Sequence, residues 1–238
     1  MKYLPYFSLI FMVLFVTFSC DKKEEVQLDM GYDFYPLEIG HYVTYQVDSF
    51  FYSDAAYPLI RIDTISYQFK EVIDTVYKDN ENRDAYRIVT YRRADATAAW
   101  QVNRVWSAVR NVSSLVKNED DLHFIKLIFP VNDNSTWSGN NLIVTDAENA
   151  YLNGWTYSYS NVNGSQLLNG VNYDSCVTVN QLDEENLIEK NYSVEQYAKQ
   201  VGLIYKEQKF LGKQRNLTNG WDFPESGIWV RQIIIDHN

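Results

Sequence analysis

Two cysteines, three histidines and a few adjacent carboxylates are the groups in this 238-residue chain with the reactivity for covalent, metal or acid–base chemistry. A hydrolytic enzyme needs an activated nucleophile or a bound metal, and both usually recruit histidine. His41, His123 and His237 lie far apart in the sequence, and none has a partner at metal-ligand spacing. No glycine-flanked serine elbow, phosphate loop or zinc motif occurs. Asp120-Asp121 and Glu184-Glu185 fall in predicted turns, where solvated charge is the ordinary explanation; a glycosidase would need two carboxyls roughly 5 to 9.5 Å apart across a cleft. Asp79-Asn80-Glu81-Asn82-Arg83-Asp84 has the oxygen crowding of a calcium loop, but Arg83 sits among the oxygens and no glycine supplies the sharp bend, so a hairpin turn is expected. Cys176 stands in the strand-like run Ser175-Cys176-Val177-Thr178-Val179 and reads as a buried, inert thiol. These residues predict no catalytic group, no metal site and no cofactor. Aromatic rings offer a different chemistry: Trp137, Trp155 and Trp221, at predicted turns and strand ends, could present stacking faces to a ligand, although packing in a core is the plainer use of each.

Cys20 has a more definite context. Lys2 and the amino terminus supply a positive end, and Leu9 to Val16 is unbroken hydrocarbon and aromatic. That is the length of a signal-peptide core and short of the roughly 20 residues a bilayer span requires. Thr17-Phe18-Ser19-Cys20 resembles a bacterial lipobox, in which the thiol is diacylated, the preceding bond is cut and the new amino terminus is acylated. Acyl chains bury methylenes at about 0.8 kcal/mol each, and stable anchoring takes more than one chain. The run Asp21 to Glu25 reads as a solvated tether, and within it Lys23-Glu24-Glu25 resembles the export tag of surface lipoproteins of the Bacteroidota. The expected organisation is a leader over 1–19, a lipidated amino terminus and linker over 20–34, and one domain over 35–238. The expected address is the outer membrane, at the cell surface or on its periplasmic face. With Cys20 acylated, Cys176 has no disulfide partner. A net charge of −10 repels phosphate backbones and argues against nucleic acid.

The elements that must position these groups are strands. Tyrosine, valine and threonine favour pleated surfaces, and 19 of the residues are tyrosine. His41 to Asp48 alternates with period two, with Val43, Tyr45 and Val47 on one face. A tyrosine-rich excursion with Pro58 precedes a long strand from Ile60 to Tyr77, in which the apolar parity slips near Val72-Ile73 and predicts a bulge. Ala85 to Arg93 and Trp100 to Arg110 follow as strands. Leu122 to Pro130 is nearly continuous apolar sequence, the pattern of a strand covered on both faces. A loop around Gly164 and Gly170 joins Trp155-Thr156-Tyr157-Ser158-Tyr159 to the Cys176 strand. Leu187 to Gln200 suits either a strand or a helical turn capped by Ser193, and Ile228 to Ile235 closes the chain as a strand. The fold class expected is mainly β: a single-domain antiparallel sheet, strongly curved or a partly open barrel, with few or short helices.

Four segments carry a family resemblance: Tyr35-Pro36-Leu37-x-x-Gly40, Phe124-Ile125-Lys126-Leu127-x-Phe129-Pro130-Val131, Trp137-x-Gly139-Asn140, and Tyr197-Ala198-Lys199-x-Val201-Gly202-Leu203-Ile204-Tyr205-Lys206-Glu207. Together they resemble an uncharacterised family of Bacteroidota envelope lipoproteins. The resemblance implies a lipidated cysteine, matched by Cys20, and a β-rich fold, and it brings no catalytic residue. The functional expectation is a non-enzymatic binding or accessory module, tied to the membrane by its lipid, for an apolar ligand held on a concave sheet or for an outer-membrane protein partner. A surface glycan binder using Trp137, Trp155 and Trp221 is one alternative, and an envelope hydrolase another.

Overall fold

The computed structural model describes residues 28–56, 59–215 and 220–238. The leader, Cys20 and Lys23-Glu24-Glu25 lie outside the described residues.

Twelve strands follow one another along the chain: β1 (Tyr42–Ala56), β2 (Leu59–Lys78), β3 (Asp84–Arg93), β4 (Gln101–Arg110), β5 (Ser114–Glu119), β6 (Leu122–Ile128), β7 (Thr136–Trp137), β8 (Tyr157–Leu168), β9 (Val171–Glu185), β10 (Glu189–Ala198), β11 (Gly202–Gly212) and β12 (Ser226–His237). They form one antiparallel sheet, nearly closed as a barrel. No α-helix occurs among the described residues; Tyr32–Phe34 and Ala150–Leu152 are single 3₁₀ turns. Two six-stranded meanders, β1 to β6 and β7 to β12, are joined where the first strand pairs with the last, Val47 opposite Gln232. The seam therefore falls between β6 and β7, which are neighbours in sequence but share no ladder.

Short turns set this up-and-down order. Asp120 and Asp121 both have positive φ (51° and 67°), as do Asn169 and Gly170 (50° and 81°), the signature of two-residue turns whose twist matches that of the strands they join. The parity slip expected near Val72-Ile73 is a register shift between Ile73 and Thr75. The loop expected around Gly164 is instead part of β8, which runs on to Leu168. Asn161, Asn163 and Ser175 adopt positive φ there, so the ladder shifts register around Gly164 and continues. The uncertain stretch after Leu187 is strand β10, with no helical turn at Ser193. The excursion before Pro58 is also strand: β1 continues to Ala56 and pairs with β2 as a long hairpin.

Sequence near the described amino terminus plugs one end of the barrel. Phe34, Tyr35 and Leu37 are buried among the core side chains of the sheet. The Tyr32 hydroxyl donates to the Val112 carbonyl at 3.0 Å, and the Gln200 amide donates to the Asp33 carbonyl at 2.8 Å. Lys199 pairs with Asp29 at 2.6 Å. The fold thus takes in residues from Asp29 onward, ahead of Tyr35.

At the seam, side chains do what a ladder does elsewhere. The Tyr159 hydroxyl accepts from the Ile128 amide at 2.7 Å and donates to the Ile128 carbonyl at 2.8 Å. Trp137 Nε1 donates to the Ile125 carbonyl at 2.8 Å, and the Ile125 amide donates to the Gly139 carbonyl, also at 2.8 Å. Gly139 cannot carry a side chain, because a Cβ would lie 2.3 Å from the Tyr157 ring. The apolar run of β6, expected from the sequence to be covered on both faces, lies at the end of the strand order and is bonded to the following loop.

Candidate functional site

Strand parity directs an unusual set of residues into the barrel. On β1 the inward positions above the plug are Tyr45 and Val47; opposite them on β2 stand Phe69 and Tyr67, with Glu71 one step below facing Val43. On β5 and β6 the inward positions include Lys117, Glu119 and Lys126, and on β10 and β11 Glu195 and Lys206, which face each other in register. Three acids and three lysines thus meet inside one sheet.

They form a continuous chain of ion pairs. Lys117 Nζ lies 2.7 Å from Glu71 and 3.1 Å from Glu119. Lys126 Nζ lies 2.9 Å from Glu195 and 3.4 Å from Glu119, and Lys206 approaches Glu195 at 3.7 Å. The Tyr197 hydroxyl donates to the second oxygen of Glu195 at 2.6 Å. The Trp106 ring lies 4.8 Å from Lys117 Nζ, a cation–π contact on a buried ammonium. Above this layer, Ser193 donates to Gln181 at 2.6 Å and Gln208 to Ser193 at 3.3 Å.

Burial opposes the charges on Glu119, Glu195, Lys117 and Lys126, yet the partners win. Burial alone would raise the Glu119 pKa, but Lys126, Lys117 and Lys206 hold it far below the ordinary carboxylate value. Glu195 is lowered in the same sense by Lys126 and Lys206. Lys117 is kept charged by Glu71 and Glu119, and Lys126 by Glu119 and Glu195, against the same desolvation. Groups locked in their charged forms are poor proton shuttles near neutral pH. The layer ties β2, β5 and β6 of one meander to β10 and β11 of the other.

The best-defined gap sits between the plug and β1, β2 and β11, against Tyr35, His41, Tyr45, Glu71 and Val201, with about 20 Å³ free. That is room for one water. Its lining is mainly apolar, with Val43, Ile73, Ile88 and Leu203 around it.

Of the tryptophans singled out from the sequence, Trp155 is a correction: it is only 4% exposed and donates to the Tyr151 carbonyl at 2.7 Å. Its ring packs on Tyr157 and Phe210, because the segment carrying it folds back inside the barrel mouth. Trp137 is half-buried and spent on the seam, with the Tyr159 ring 4.6 Å away. Trp221 is half-exposed in the loop between β11 and β12, with Lys213 Nζ 4.4 Å from its ring. The three rings form no shared platform.

Exposed apolar side chains also stand on the turns and loops at the end of the barrel opposite the plug. Leu187, in the turn between β9 and β10, and Phe223, in the loop between β11 and β12, are 64% and 63% exposed, and Ile188 joins them. The Lys213 amide donates to the Ile188 carbonyl at 2.9 Å and holds turn and loop together. Arg215 pairs with Asp54 of β1 at 2.6 Å, tying the loop to the neighbouring hairpin.

The remaining candidates have structural partners. Asp79 accepts from the amides of Glu81 and Arg83 and from the Arg83 guanidinium. Asp120 accepts from Trp106 Nε1 at 3.1 Å, and Glu185 pairs with Lys190. No cluster of three or more histidine, cysteine or acidic residues with metal-binding geometry occurs among the described residues. Sequence reasoning missed the interior ion pairs. Their signal was present in Lys126, a lone charge within an otherwise apolar strand, and in Glu195, on the same parity as Tyr197.

No protein-family model matches the chain, and no curated protein does. Among solved structures it is similar to a protein of Bacteroides fragilis described as exported and as having a YmcC-like fold, at 12% identity and a TM-score of 0.40, over 86% of this chain and 98% of that one.

Proposed function

We propose that this chain is a lipid-anchored, non-enzymatic accessory module of the outer membrane that docks an envelope partner on the rim formed by Leu187, Ile188, Trp221 and Phe223. The observation that carries this reading is the contrast between an interior filled by ion pairs and a rim of exposed apolar side chains. The gap beside the plug has room for one water, which favours an external partner over an apolar ligand enclosed there. Solvent-exposed rings and aliphatic chains held on turns at one end are what such docking uses. The rim lies at the far end from residues 28–41, so an anchor at Cys20 would leave it pointing away from the membrane. The lipid itself rests on the sequence context of Cys20, with Lys23, Glu24 and Glu25 as the surface-export tag. A glycan-binding role would depend on Trp221 alone, since Trp155 is buried and Trp137 is engaged at the seam.

Photo-crosslinking from position 187 or 223 in intact cells is expected to capture one discrete outer-membrane protein, and Phe223→Asp in the chain crosslinking from 187 is expected to remove that product. Cys20→Ala is expected to leave the protein uncleaved or free of the membrane. Capture of lipid or glycan instead of protein, or a cleaved Cys20→Ala chain that still pelleted with membranes, would overturn the corresponding half of the proposal.

A further inference from the structure

The hairpin of β1 and β2 outruns both of its neighbours. Pairing of β2 with β3 begins only at Gln68 opposite Arg93, so residues 59–67 of β2 pair with β1 on one side and with nothing described on the other. Such an edge offers a row of unpaired backbone donors and acceptors. Leu59, Ile62 and Ile65 on it are exposed. Edge charges ordinarily discourage pairing, and Arg61 and Asp63 are charged. Here, however, the two charges flank Ile62 symmetrically, have opposite signs and pair with each other along the strand at 3.0 Å, an exposed contact that pairing across the axis would exchange for two.

We propose that this edge pairs with the same edge of a second copy of the chain, antiparallel about a two-fold axis through Ile62. An axis normal to the sheet can bring together only residues of like parity, which leaves few registers. Centring on residue 61 sets Arg61 against Arg61 of the second copy, and centring on 63 sets Asp63 against Asp63, both repulsive. Centring on Ile62 places Arg61 opposite Asp63 twice, Ile60 opposite Thr64 twice and Leu59 opposite Ile65 twice. That register ends before Gln68, where β3 begins. The antiparallel sense sends the two barrels off in opposite directions along the shared strand, so they do not compete for space. Pairing also makes one four-stranded ribbon and prolongs across the axis the aromatic face on which Ile62 neighbours Tyr52, Thr64 neighbours Phe50, and the Phe50 and Trp229 rings lie 4.9 Å apart. The interface is isologous, the commonest kind in homodimers.

Cysteine crosslinking of the full chain in intact cells tests this. Cα atoms directly opposite each other across an antiparallel pair are about 4.5–5.5 Å apart, within the roughly 4.4–6.8 Å that a disulfide spans. Under mild oxidation Ile62→Cys is expected to give a disulfide-linked dimer. Thr64→Cys, whose proposed partner is Ile60 rather than itself, is expected to give none above the parent chain. Adding Asp63→Arg to Ile62→Cys sets like charges opposite at two symmetric places and is expected to cut the dimer about tenfold. The exchanged pair Arg61→Asp with Asp63→Arg is expected to restore it, which a merely misfolded hairpin would not do. No dimer from Ile62→Cys, equal dimer from Thr64→Cys, indifference to Asp63→Arg, or crosslinking of Ile62→Cys to a different protein would each overturn the proposal.

Discussion

Lys126→Met removes the ammonium at the centre of the interior ion pairs while keeping most of the side-chain volume. Glu195 then retains Lys206 at 3.7 Å and the Tyr197 hydroxyl, and Glu119 retains Lys117 at 3.1 Å. Three buried carboxylates face two lysines, and one negative charge is left without compensation. Breaking a buried pair in this way costs about 3–5 kcal/mol, whereas removing both partners is often close to neutral. Lys126→Met with Glu195→Gln keeps an acceptor for Tyr197 and restores the balance of charge, so the double variant is expected to recover at least ~2 kcal/mol of the single variant's loss. Urea denaturation at pH 7 and at pH 5 measures both effects. In the parent protein Glu119 and Glu195 titrate below their ordinary value of 4.5. Their contribution is therefore complete above that value and is lost as the pH falls through the lowered folded values. Without Lys126 the orphaned carboxylate has its folded pKa raised instead, so its penalty is present at pH 7 and is relieved as the pH falls toward 5. The gap between parent and Lys126→Met should narrow on acidification. A loss under about 1 kcal/mol at pH 7, or a gap that does not change with pH, would refute the view that these ions hold the barrel together.

Two smaller predictions concern the seam and the thiol. Tyr159→Phe strands the Ile128 amide and should cost about 1–3 kcal/mol in urea denaturation, with faster hydrogen exchange at Ile128; unchanged exchange there would mean that the seam is held by other contacts. Burial pushes the Cys176 thiol up to about 11, so at pH 8 a thiol reagent should label it only after denaturation, and rapid labelling of the folded protein would contradict its placement.

The sheet was legible in the sequence because its determinants are local. Alternation in His41 to Asp48 and in Ile228 to Ile235 needs no knowledge of the partner strand to be read as β, and the parity slip at Val72-Ile73 announced its own bulge. What could not be read was anything decided by residues distant in the chain. The run from Leu122 to Phe129 has the apolar content of a strand covered on both faces, but its place at the seam could not be read, since what meets it there is a loop and Tyr159, about thirty residues later. Trp155 could be read as a core ring or as an exposed one at a strand end; whether a ring points out or folds back over Phe210 depends on a contact that spacing does not encode. Gly164 suggested a loop because glycine breaks strands on average, and only the register across to Cys176 reveals a bulge instead.

The same distinction explains why the interior is ionic. A sheet of twelve strands encloses more width than opposing apolar side chains readily span, and here the plug fills only one end. Long side chains of opposite charge can cross the remaining gap, and each meets its partner from another strand: Lys117 of β5 with Glu71 of β2, Lys126 of β6 with Glu195 of β10. The second of these joins the two meanders close to where β6 and β7 fail to pair. An apolar pair at those positions would gain from burial but would impose no particular register, whereas a lysine left without its carboxylate is strongly penalised. The ion pairs therefore select one closure of the sheet, and the seam can dispense with a ladder because Tyr159, Trp137 and the Lys126–Glu195 bridge fix its two sides from within.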